Sequence, residues 1–152
     1  MANKHFQLVL EVQADATPRT IAQFLVAAGG RVLLHAVEIG AEGATPNSSP
    51  LVWALRKQSD AGGLASATAE LRKARPVFPG AIATTALKQA VGAEPATDGA
   101  AIAYLTTLHQ QSSKVWSPPR GPVVMDENER WGWISEDNST GFAVVYTFHL
   151  EE

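Results

Sequence analysis

The sequence predicts an all-β fold: a jelly-roll-like β-sandwich of about eight strands with a less regular, alanine-rich middle. Three observations carry this reading. Residues 141–150 alternate strictly, with Phe142, Val144, Tyr146, Phe148 and Leu150 on one side and Ala143, Val145, Thr147 and His149 on the other. A side-chain period of two marks a strand with one face on a core. Similar alternation recurs upstream, in segments separated by clusters of Gly, Pro, Asn, Asp and Ser. Many short strands with turn signals between them, over a chain of 152 residues, describe a sandwich or jelly roll.

The elements follow in order. Residues 5–12 form the first strand, with Phe6, Leu8, Leu10 and Val12 against Gln7, Val9 and Glu11. Asp15-Ala-Thr-Pro18 is a turn, because proline fixes φ and aspartate bonds its own backbone. Residues 19–26 fit two periods: Ile21, Phe24 and Leu25 suit a helix, whereas Thr20, Ala22, Phe24 and Val26 suit a strand. The short length and the Gly29-Gly30 that follow favour the strand. Residues 31–41 are a strand apolar on both sides, as at the centre of a sandwich. After a turn-rich loop at 42–49 comes a strand at 51–58, with Leu51, Trp53 and Leu55 inward and Arg56 outward.

The middle is less regular. Residues 65–74 contain good helix formers and read as a short helix or an irregular connection. Arg75-Pro-Val-Phe-Pro-Gly80 breaks any regular element, 82–91 is a weak strand or helix, and 94–99 is a turn. Residues 101–110 alternate again, and the proline-rich corner at 116–122 cannot pair within a central strand. Strands at 123–126 and 130–135 precede Asn138-Ser-Thr-Gly141, which is expected to turn 130–135 and 141–150 into a hairpin. The first and last strands are expected to share a sheet.

Residues 1–152 read as a single domain, with residues 1–5 free to act as an N-terminal arm. Charged residues make up 18% of the chain, below the usual ~25%, which suits a protein that packs against neighbours. The net charge of −3 argues against a nucleic-acid partner. It is unevenly spread: residues 126–152 hold seven Asp/Glu and only Arg130 of the opposite sign, either a solvated acidic end or charge complementarity between copies. Without cysteine, disulfides and thiolate metal sites are excluded. The N-terminus lacks the apolar h-region of a signal peptide, and no apolar run approaches the ~20 residues of a membrane span. The chain is therefore expected to be made in the cytoplasm and to have no membrane partner.

Candidate chemistry is sparse. His5, His35, His109 and His149 lack any ligand spacing, although strands can bring distant ligands together. The sequence contains no G-x-S-x-G elbow, P-loop or G-x-G-x-x-G. Asp126, Glu127 and Glu129 sit in a turn where solvation is the default, and the run is too short for a calcium loop. The chain is therefore expected not to be an enzyme and to need no cofactor or metal. Trp131-Gly-Trp133 is the most specific local feature, since both indoles point to one side of a strand. Three readings stay open for them: core, protein interface, or stacking on a sugar. Gly132, on the other side, admits a close approach.

The stretches Ala16-Thr-Pro-Arg-Thr-Ile-Ala-Gln23, Arg31-Val-Leu-Leu-His-Ala-Val-Glu-Ile-Gly40, Pro50-Leu-Val-Trp-Ala-Leu-Arg-Lys-Gln58, Gly121-Pro-Val-Val124, Arg130-Trp-Gly-Trp-Ile134 and Gly141-Phe-Ala-Val-Val-Tyr146 resemble small virion proteins of tailed bacteriophages with jelly-roll or related β-sandwich folds. The likeness leaves out the alanine-rich middle. It implies a capsid decoration (cement) protein that binds the outer surface of the mature head as a homotrimer. Its partners would then be the major capsid protein and its own copies, and its location the virion. A head–tail connector or tail component is the alternative within that class, and a carbohydrate-binding sandwich outside it. The contact residues expected are Asn3, Lys4, His5 and Phe6 in the arm, Arg72, Arg75 and Phe78 in the loop at 72–79, the loop at 42–50, and Trp131 with Trp133.

Overall fold

The computed structural model describes residues 4–13, 17–43, 51–73, 81–89, 92–107, 113–137 and 142–152. The strands are β1 (His5–Gln13), β2 (Arg19–Leu25), β3 (Arg31–Gly43), β4 (Leu51–Gln58), β5 (Ala65–Ser66), β6 (Leu71–Lys73), β7 (Thr85–Lys88), β8 (Thr97–Thr107), β9 (Ser113–Trp116), β10 (Val123–Asp126), β11 (Arg130–Asp137) and β12 (Phe142–Glu151). The only helical element among the described residues is a 3₁₀ turn at Thr68–Glu70.

Two antiparallel sheets form the sandwich. The front sheet runs β10-β3-β12-β1-β6, with β9 also on β3, and the back sheet runs β5-β7-β2-β11-β4-β8. On the free edge of β3, β9 pairs with Val37–Gly40 and β10 with Arg31–Leu34, so the two lie in line along one edge. Pro118, Pro119 and Pro122, which offer no N–H to a ladder, occupy the break between them. Taking β9 and β10 as one interrupted strand leaves eight principal strands. The first pairs with the last (β1 with β12), β2 with β11, β3 with β9/β10, and β4 with β8. A long hairpin rolled up on itself gives this order, which is the topology of a jelly roll. The alanine-rich middle is an insertion between the fourth and fifth principal strands. It widens both sheets, β6 beside β1 and β7 beside β2.

Two expectations give way here. Residues 65–73 form β5, the 3₁₀ turn and β6 with no α-helix, because β1 and β7 supply edges for them to pair with. Residues 130–135 and 141–150 do not form a hairpin: β11 is in the back sheet and β12 in the front. β11 already has β2 and β4 on its two edges, so it has no edge left for β12. The apolar sides of both strands face the same core from opposite sheets, and alternation alone could not separate these arrangements. The expected strand pairing of the two ends is found: Phe6, Leu8, Leu10 and Val12 lie opposite Leu150, Phe148, Tyr146 and Val144.

Two bulges account for sequence patterns that a plain period of two does not. Along β3, Leu34 faces Leu150 and Ala36 faces His149, which leaves His35 as the extra residue. The inward set therefore switches from Val32 and Leu34 to Val37, Ile39 and Ala41, and the segment reads as apolar on both sides. Along β2, Trp133 pairs with Ala22 and Ile134 with Thr20, so Ile21 is skipped. Ile21, Ala22 and Phe24 all enter the core, so Ile21 and Phe24 stand inward three residues apart, as in a helix, whereas Leu25 stays outside the core cluster. The core between the sheets is rich in aromatic rings. Phe148 meets Phe24 edge-on at 5.3 Å and Trp133 at 6.1 Å, and Trp116 lies 5.5 Å from Trp133.

Candidate functional site

The two outer surfaces of the sandwich differ. On the back sheet, the outward residues Thr20, Gln23 and Gln58 are buried. Gln23 Nε2 donates to Gln58 Oε1 at 2.7 Å and to the Asp60 carbonyl at 2.8 Å, and Gln58 Nε2 donates to Thr20 Oγ1 at 2.8 Å. The Thr20 N–H donates to Glu94 Oε2 at 2.7 Å. The turns at 59–64 and 92–96 lie over this network and hold each other through Ser59 N–H to the Ala96 carbonyl and Gly63 N–H to the Ala93 carbonyl. A groove of about 320 Å³ remains beside them, lined by Pro18, Arg56, Glu94, Pro95 and Glu136 among others. Its charges are internally matched: Arg56 meets Glu136 at 2.9 Å and Arg19 meets Glu94 at 3.9 Å.

The front sheet has no such cover among the described residues. Its outward positions form rows across β1, β12, β3 and the β9/β10 edge. His5, Glu151, Leu33 and Val124 make one row; Val9, Thr147, Glu38 and Val115 make another; Glu11, Val145, Gly40 and Ser113 make a third. The four exposed large hydrophobic residues among those described, Val9, Val115, Val124 and Val145, are all on this face and are between 40% and 63% exposed. A Cβ built on Gly40 would meet nothing within 4 Å, so the face is open there. Its polar groups pair with one another: Gln7 shares a hydrogen bond with His149 Nδ1 at 3.0 Å, and His149 Nε2 lies 2.7 Å from Glu38 Oε1. His35 Nε2 lies 2.7 Å from Glu151 Oε2.

The residues singled out from sequence fall in different places. Lys4 exchanges backbone hydrogen bonds with Glu152 (2.9 Å each way), and its Nζ donates to the Ala81 carbonyl at 2.9 Å. His5 opens β1, and Phe6 is buried in the core. Residues 4–6 are thus stitched into the front sheet, which leaves residues 1–3, Asn3 included, as the only ones left for an arm; these lie outside the described residues. Arg72 is exposed and donates to the Ala69 carbonyl at 2.5 Å. Arg75, Phe78 and the loop at 44–50 also lie outside the described residues.

Trp131 and Trp133 are both core residues, so neither offers a surface for a neighbour or a sugar ring. The close approach expected at Gly132 is present: the Gln58 carboxamide lies over it, 2.3 Å from where a Cβ would sit. At the acidic turn, Asp126 pairs with Arg31 at 3.1 Å, and Glu127 accepts from the Gly29 N–H. Glu129 takes Lys57, the Trp131 Nε1–H at 2.9 Å and the Asp126 N–H at 3.0 Å. Burial pushes the Glu129 carboxyl up, but these hydrogen bonds and the nearby ammonium outweigh it and hold the group below the usual carboxylate range. Each acid thus has its own partner within the fold.

The exposed face of the front sheet was not singled out from sequence. A signal existed: in the second set of the last strand, Ala143, Val145, Thr147 and His149 carry no Lys, Arg, Asp or Glu where solvent-facing positions usually do, the first acid in that set being Glu151 at the strand's end. Comparison of the chain with protein-family models, with curated proteins and with solved structures finds no match.

Proposed function

We propose that this chain is a structural protein of a tailed-phage virion, a capsid decoration protein that binds the outer surface of the mature head and stabilises it. The observation that carries the reading is the uncovered front sheet, where Val9, Val115 and Val145 stand exposed near Gly40 and Val124 farther along the same face, while turns cover Thr20, Gln23 and Gln58 on the back sheet. Exposed apolar side chains on one sheet face suit a surface that is buried against another protein. The edges of that sheet support association through the face. β6 has three residues, and the opposite edge is broken by prolines, so strand addition there is disfavoured. Repeated over a shell, modest contacts of this kind add up through multivalency.

In this reading the front face meets other copies in a homotrimer and the major capsid protein beneath it. A head–tail connector would use the same kind of face in a larger ring. The experiment is the solution mass by light scattering. A trimer of the 16.1 kDa chain is expected. A hexamer or larger ring would move the assignment to a connector, and a monomer that stays monomeric at high concentration would contradict the trimer.

A further inference from the structure

We propose that His5, His35 and Glu151 form a binding site for a zinc-like divalent transition ion on the front sheet. Three strands bring the donors together from positions 5, 35 and 151. Lys4 and Glu152 exchange both backbone hydrogen bonds, so the next pair along the ladder, His5 and Glu151, is a non-hydrogen-bonded pair, in which side chains stand closest. His35 comes from the other side of β12 and is the bulged residue of β3. Bulges commonly re-aim a side chain at functional positions.

Both imidazoles aim Nε2 at one carboxylate oxygen: His35 Nε2 is 2.7 Å and His5 Nε2 is 3.8 Å from Glu151 Oε2. Ligand atoms of the three residues all lie within 4.8 Å of one another. Four-coordinate zinc, with ligands at about 2.0–2.1 Å, places neighbouring donors about 3.3 Å apart. The donors lie near that spacing, and binding requires His5 to move in and His35 to move slightly back. The carboxylate is largely covered, its side chain 11% exposed, whereas His5 (52%) and His35 (37%) face solvent and leave a path for the ion.

Two imidazole nitrogens and one carboxylate oxygen suit zinc and its neighbours rather than calcium or magnesium, which take oxygen ligands. Three protein ligands leave a fourth position open for water or for a group from a bound partner.

The test is calorimetric titration of the intact chain with zinc chloride, with cobalt(II) absorption as a reporter of four-coordination. One ion per chain is expected. Losing a group that merely orients a ligand weakens metal binding about 10- to 100-fold, so His5→Ala, His35→Ala and Glu151→Gln should each weaken it at least as much. His149→Ala, which removes the histidine paired with Gln7 and Glu38, should leave it unchanged. His5 is exposed, so its variant keeps the test valid where a Glu151 variant fails to fold, as judged by circular dichroism. Absence of zinc binding by the wild type would overturn the proposal, as would binding that survives His5→Ala and His35→Ala.

Discussion

Trp53 Nε1 donates a 2.8 Å hydrogen bond to Tyr146 Oη, and this bond joins the two sheets through the middle of the core. Trp53 belongs to β4 in the back sheet and Tyr146 to β12 in the front, and both are buried. The rings meet edge-on, with centroids 6.2 Å apart. Burial raises the tyrosine pKa and outweighs the opposing effect of the Trp53 hydrogen bond, so the hydroxyl stays neutral. Tyr146→Phe would leave a buried indole N–H without a partner, at an expected cost of about 1–3 kcal/mol. Chemical denaturation checks this. A Tyr146→Phe protein as stable as the wild type would show that the bond contributes nothing net.

Gly132→Ala is expected to destabilise the back sheet. The new methyl would sit on the Gln58 carboxamide, which cannot swing away without breaking its bonds to Gln23 and Thr20. Overpacking of this kind costs about 1–3 kcal/mol. Gln58→Ala in the same background makes room for the methyl. The double variant should therefore lose less than the two single losses added, and strict additivity would place the strain elsewhere.

The lowered pKa of Glu129 makes stability depend on pH in one direction. The folded protein binds the proton less readily than the unfolded chain, so the contribution is fully present above the ordinary value of 4.5 and is lost as pH falls through the lower folded value. Glu129→Gln should remove this part of the acid dependence, giving a flatter stability profile below pH 4.5 and a lower plateau at neutral pH. Thermal melts across that range measure it, and identical profiles for the two proteins would refute the assignment.

Gly40 has no local need to be glycine. Its outward side is empty, and it is not among the residues with positive φ. Glycine within a strand costs about 0.5–1 kcal/mol relative to alanine, and a β-branched residue fits a pleated sheet better still. Gly40→Thr is expected to raise the melting temperature of the isolated chain while weakening its self-association. A destabilised monomer would show instead that the position is constrained from within.

Much of the fold was legible because a strand's period of two survives wherever one face is buried. Phe6, Leu8 and Leu10 identify β1, and Val144, Tyr146, Phe148 and Leu150 identify β12. Their pairing followed from two well-formed terminal strands. Local pattern could not show the partner of β11, because Trp131 and Trp133 would face a core in either sheet. The bulges at Ile21 and His35 shift the inward set by one residue, which blurs the period at those points. In the middle, alanine carries weak β and strong helix propensity, so pairing with β1 and β7 overrode the local preference at 65–73. Trp131 and Trp133 drew attention as large aromatic residues, yet the exposed face is built from valines in the second set of each alternation. The histidine cluster was invisible because its members come from three strands far apart in sequence.

The proposed role requires the front sheet to be a surface that other proteins cover. The most direct measurement is the solution mass of the Val9→Lys/Val145→Lys double variant beside the wild type. Both valines point outward, 50% and 40% exposed, so two lysines there should leave the fold and its circular dichroism unchanged. A trimeric wild type that becomes monomeric in the variant is the predicted result. An assembly that persists undiminished with two charges per copy on this face would contradict the account.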